Sequence, residues 1–169
     1  MILKSKLFSI FFFFVLLLPV YADNKITFLN LDLVLSQSNP GKIILNDLEN
    51  LKKKNEESFQ NLGDKIKKKE QDLLKKKNIL SKEEFESSLI SLKSEIDLFN
   101  KERSKTINEY EQFKKKKLNE FLSKITPLIR EYTSENSISL VLNQKDIFIG
   151  NKNYDITNDI VKIIDNNIK

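Results

Sequence analysis

Two seams of apolar residues, spaced by threes and fours, decide most of what this chain can become. From Lys42 to Lys77 the seam reads Ile44, Leu48, Leu51, Phe59, Leu62, Ile66 and Leu73, with Asn55 in one seam position and mostly lysine and glutamate elsewhere. Side chains three and four apart share one face of an α-helix, so this pattern describes an amphipathic helix with a narrow apolar stripe. The pattern stops at Asn78-Ile79-Leu80. Ser81-Lys82-Glu83-Glu84 then supplies a capping box, in which the Ser81 hydroxyl accepts from an amide of a new helix while Glu84 reaches back. A second seam follows, through Phe85, Leu89, Leu92, Ile96, Phe99, Arg103, Ile107, Tyr110, Leu118, Phe121, Ile125, Leu128 and Tyr132. Two helices joined by about four residues run antiparallel, which predicts a coiled-coil hairpin with its tip near residues 78–81.

The flanks have a different period. Ile26 to Leu31, Ile138 to Leu142 and Ile147 to Ile149 are short apolar runs bounded by polar residues, and each reads as a β-strand. The last two are expected to form a hairpin across Asn143 to Asp146. Thr157 is expected to cap a short C-terminal helix with Ile160, Val161, Ile163 and Ile164 on its apolar side. The fold class is therefore α+β, a long helical hairpin projecting from a small β body. Residues 40–119 form the arm, and residues 23–39 and 120–169 form the β-rich body. Pro127 removes a backbone hydrogen bond near the body and predicts a kink there. Gly63 lies mid-helix, either as a bend that lets the arm open or as a tolerated interior glycine. Three short strands leave edges unpaired, and Phe28, Leu29, Leu140 and Val141 place apolar side chains on both faces. Self-association through these four residues would cover both defects.

Lys4 and Lys6 precede an apolar run from Leu7 to Leu18 broken only by Ser9, and Pro19-Val20-Tyr21-Ala22 follows. Residues 1–22 read as a secretory signal peptide cut after Ala22. The run is far shorter than the ~20 residues of a membrane-spanning helix. The chain has no cysteine, hence no lipid attachment site and no disulfide.

Composition also bears on chemistry. There is no histidine or cysteine, and the three glycines form no phosphate-binding loop. Zinc sites, thiol nucleophiles, histidine triads and phosphate cradles are all missing, so no enzyme, metal or cofactor is expected. Charge is regional: residues 52–82 carry eleven lysines against five acids, a local +6. Within that stretch lie Lys67, Lys68, Lys69, Lys75, Lys76, Lys77 and Lys82. Three consecutive lysines span about 300° of a helix, so they form a diffuse positive end and not a stripe. No aromatic platform is interleaved with them, which excludes nucleic acid as the expected partner. An anionic membrane surface, lipopolysaccharide or an acidic polypeptide segment fits better.

The stretch KITFLNLDLVLSQSNPGKIILNDLE, where a strand runs into a short helix and then Pro40-Gly41-Lys42, resembles the Skp (OmpH) family of periplasmic chaperones, as do ISLVLN and YDITNDIVKIID. With the hairpin between them, the resemblance covers residues 23–169. Asn143 and Gln144 depart from the aspartate and basic residue that the family often places there. The resemblance implies a homotrimer whose body is completed by strands from three chains, with three arms around a cavity. It also implies a Gram-negative periplasmic location and clients that are unfolded outer-membrane β-barrel proteins, held without ATP. Because the seam residues hold each arm together, client contacts are expected from off-seam apolar residues: Leu74, Ile79, Leu80, Ile90 and Leu98. The alternative is a structural or adaptor coiled coil of the cell envelope, whose β domain would stand alone.

Overall fold

The computed structural model describes residues 25–168. The expected signal peptide, residues 1–22, lies outside them. Strand β1 (Lys25–Leu29) leads into helix α1 (Leu31–Gln37), then helix α2 (Asn39–Lys75) and helix α3 (Lys82–Glu135). Strand β2 (Ile138–Asn143), two 3-10 turns (Gln144–Asp146 and Lys152–Tyr154) and helix α4 (Thr157–Asn167) complete the chain. It is mostly helical, with one two-stranded sheet.

Helices α2 and α3 form the arm. At 1.5 Å per residue the 37 residues of α2 reach about 55 Å. Their antiparallel register is fixed by Phe59 meeting Phe99 edge to face, ring centroids 6.4 Å apart, and by Lys69 bonding Glu95 at 2.6 Å. At the tip, the Lys76 amide donates to the Asp72 carbonyl at 3.2 Å, closing the last turn of α2, and the Leu80 amide donates to the Lys76 carbonyl at 3.0 Å in the turn beyond it. The capping box then opens α3: the Ser81 amide donates to Glu84 Oε2 at 3.0 Å, and the Glu84 amide to Ser81 Oγ at 3.3 Å. The Ser81 amide, together with the Ser81 hydroxyl that donates to the same Oε2 at 2.8 Å, favours the ionised carboxylate and holds the Glu84 carboxyl below its ordinary pKa.

Helix α3 outruns α2 and supplies the body with its core. Phe121 and Ile125 pack with Leu29, Val34, Ile138, Ile156, Ile160 and Ile164. Four of these, Val34, Ile125, Ile160 and Ile164, are fully buried, each contributing roughly 1.5–3 kcal/mol. Pro127 does not end α3, which continues to Glu135. The start of α2 is capped from a distance: Asp165 Oδ1 accepts from the Asn39 amide at 2.6 Å, while the adjacent Ser38 hydroxyl is buried and makes no cap bond.

β1 and β2 pair in parallel, Ile26 opposite Leu140 and Phe28 opposite Leu142. The whole arm is thus one excursion between neighbouring strands. Three strand and cap expectations need correction. The described residues form two strands, not three, because Ile147–Ile149 is irregular and Gln144–Asp146 is a 3-10 turn, not a hairpin loop. The free edge of β1 is occupied instead by residues 155–156, where the Ile156 amide donates to the Phe28 carbonyl at 2.9 Å. Thr157 is the first residue of α4 and not its cap; Ile156 holds the cap position, and Asp155 Oδ1 accepts from the Thr157 amide.

Candidate functional site

Two surfaces leave apolar side chains uncovered: the flank of the arm and the outer face of the sheet. On the arm, a seam only two residues wide leaves the intervening apolar residues no partner within the hairpin. Ile79 is 80% exposed, Ile90 71%, and Leu74 and Leu98 about 60%. The fifth expected contact residue, Leu80, is half-buried, lining a cleft beneath the tip with Leu73 and Leu92. It packs against the turn and is less available than the other four. These residues are not gathered into one pocket. Leu98 lines a groove with Leu62, Ile66 and Phe99.

The seven lysines from Lys67 to Lys82 are exposed. Lys69 is turned across the arm to Glu95, and Lys75 lies 3.7 Å from Asp72 on its own helix. Among the described residues, Lys67, Lys68, Lys76, Lys77 and Lys82 form no ion pair. Their charge is uncompensated at contact distance.

The sheet divides the four residues expected to drive self-association. Leu29 is buried in the core and Val141 packs against it, so both serve the single chain. Phe28 is buried too, under the loop after Ile147: a side chain on Gly150 would come within 2.7 Å of the Phe28 ring. Leu140 is 48% exposed, and Ile26 and Leu142 beside it are similarly uncovered. Strand alternation explains the division, since residues 26 and 28 share one face with 140 and 142, while 27, 29 and 141 face the helices. Ile26 and Leu142 were legible from that same alternation and went unnamed in the sequence reading. Phe148, 99% exposed, and Ile149 extend the apolar area beyond the strands. The β2 edge facing away from β1 has no strand against it among the described residues.

Among the described residues, no cluster of acidic side chains is suited to a metal, and no helix is long and apolar enough to cross a membrane. The exposed apolar side chains of the arm and of the sheet are suited to contact with another surface.

Comparison with known proteins places these features. The family model for OmpH, an outer membrane protein (OmpH-like) family, matches residues 25–164. A crystal structure from Caulobacter crescentus CB15, described as a candidate outer membrane chaperone (OmpH-like), superposes with a TM-score of 0.75 over 86% of each chain. The two are 16% identical, so the likeness is one of fold. No curated protein matches the chain by sequence.

Proposed function

We propose, on the premise that the chain belongs to the OmpH-like outer membrane protein family, that it is a chaperone of outer-membrane proteins acting as an ATP-independent holdase in the periplasm. The observation that carries this reading is the arm's surface. Isolated apolar side chains such as Ile79 and Ile90 stand exposed on a long rod otherwise covered in charge. Scattered apolar contacts give an unfolded chain many weak attachments, and the charge between them keeps the rods from sticking to one another. Such a task needs no catalytic group.

The outer sheet face supports a second part of the proposal. Leu140, Ile26, Leu142 and Phe148 are what three copies would bury on assembling a common body, with β2's open edge available for strand pairing. The arms would then stand around a shared cavity that holds clients. An uncovered apolar sheet face also argues against the adaptor alternative, whose body should be finished within one chain. The deciding measurement is light scattering of an unfolded outer-membrane β-barrel protein diluted from denaturant, with and without this protein and without ATP. Suppressed aggregation at a fixed ratio of chaperone to client is the expected result; unchanged aggregation would overturn the holdase reading.

A further inference from the structure

In the outer half of the arm, a groove of about 590 Å³ lies between the two helices. Its floor is apolar: Ile66 and Phe99 from the seam, flanked by Leu62 and Leu98, both exposed above it. One local feature bounds it. Lys69 stands where the seam would call for an apolar residue, and it answers Glu95 across the arm at 2.6 Å, closing the end nearer the tip with a polar clasp.

The rims carry charges of both signs in equal number: Lys65, Lys68 and Lys69 from α2, against Asp72 on the same helix and Glu95 and Glu102 from α3. The lining is therefore neutral, although the surrounding stretch is strongly basic. A neutral apolar trough neither recruits an anionic surface nor favours an acidic or basic peptide; the occupant it complements is uncharged and apolar on the side that enters.

Length narrows the occupant further. From Leu62 to Lys69 the helix advances about 10 Å, which an extended chain covers in about three residues. In an extended chain alternate side chains point the same way, so two apolar side chains, one residue apart, reach the floor while the one between points to solvent. Resting on the holdase reading above, we infer that this groove is a docking site for one extended segment of non-native polypeptide with alternating apolar side chains. Strands destined for an outer-membrane barrel have that pattern, apolar on the lipid side and polar on the other. The groove thus gives one locus on the arm a preference of its own, beside the scattered contacts of Ile79 and Ile90.

The test uses the full-length secreted chain and a fluorescent synthetic peptide alternating leucine with threonine, with anisotropy as the readout. Leu98→Asp should weaken binding about 10-fold, whereas Ile43→Asp, at an equally exposed apolar site of α2 outside the groove, should weaken it less than about 2-fold. Leu98→Met should bind as the parent does. Leu98→Gln, a better helix former, should repeat the loss if the aspartate disturbs the arm. A peptide of the same composition with its leucines in one block should bind several-fold more weakly. Equal losses at Leu98 and Ile43, no loss at Leu98, no binding by the parent, or equal binding of the blocked peptide would overturn the inference. Aggregation suppression is measured in parallel. A parent that suppresses aggregation but binds the peptide indifferently sinks the groove alone, and one that binds through Leu98 without suppressing aggregation sinks the holdase reading alone.

Discussion

The backbone amide of Asn30 donates to the hydroxyl of Thr157 at 2.9 Å, tying the turn after β1 to the first residue of α4 across 127 positions of sequence. Asn30 also accepts from the Leu33 amide with its side-chain oxygen and donates to Gln144 with its side-chain nitrogen. Thr157 in turn donates to Asp155, whose carboxylate accepts the Thr157 amide as well. The body's first and last elements are thereby locked around a buried hydroxyl. Thr157→Val keeps the shape and removes both bonds, leaving the Asn30 amide without its acceptor. Urea unfolding should show a loss of about 1–3 kcal/mol, and Thr157→Ser, which keeps the hydroxyl, should lose less.

Two glycines in the arm should respond to alanine with opposite signs. Gly41 is buried where α1 turns back on α2, and an added methyl would overlap the Leu35 carbonyl, a backbone group that cannot swing away. Gly41→Ala should destabilise by on the order of 1–3 kcal/mol, as overpacking does. At Gly63 an added methyl meets open space, so Gly63→Ala should stabilise by roughly 0.5–1 kcal/mol through helix propensity alone. Thermal unfolding separates the two. If the arm must bend at Gly63 to admit clients, the stabilised variant will lose aggregation suppression; retained suppression is expected of a tolerated interior glycine.

The arm was readable from sequence because its signal is local and periodic. Phe59 and Phe99 could be set opposite one another by folding the two seams about residue 80, and their rings meet there. Residues such as Leu89 and Ile107 were less faithfully read. Both lie about half exposed, while Ser88 and Thr106 beside them are partly covered, since a strict alternation of threes and fours drifts against the true helical period. The body was harder, because its pairing is decided far along the chain. Ile147-Phe148-Ile149 has the composition of a strand, but within one chain the available β1 edge is taken by Asp155 and Ile156. Composition alone does not reveal which segment arrives first at an edge. For the candidate site, the exposure of Ile79, Ile90 and Leu98 followed from their off-seam positions. The groove did not, because it depends on Lys69 reaching Glu95 across the helix pair.

Assembly through the sheet predicts a clean separation of oligomerisation from arm structure. Leu140→Glu places a carboxylate in the middle of the uncovered face, between Ile26 and Leu142, without entering the core. A buried, unpaired charge at an interface costs several kcal/mol, enough to dissociate a modest assembly. Light scattering should show monomers with helical circular dichroism unchanged, whereas Ile79→Glu at the tip should leave the assembly intact. Trimers that survive Leu140→Glu would place the interface elsewhere.

The lysines near the tip should govern encounter with anionic partners more than final affinity. Residues 52–82 carry a net +6 on an element that projects from the body, and Lys76 and Lys77 form no ion pair among the described residues, while Lys75 has only a distant one. Exposed charges act over a Debye length of about 8 Å at physiological salt, so their main effect is on capture rate. Near an anionic bilayer each lysine adds up to about 1 kcal/mol, which makes the loss of three measurable. Replacing Lys75, Lys76 and Lys77 together by Gln touches no seam residue and leaves the Ser81–Glu84 capping box in place. The triple variant should bind anionic liposomes more weakly than the parent at low salt and show a smaller difference at high salt. It should also associate more slowly with acidic client segments while keeping the same oligomeric state. Equal liposome binding by parent and variant at both salt concentrations would mean that this charge only keeps the arm solvated, and that capture by the arm rests on its exposed apolar residues.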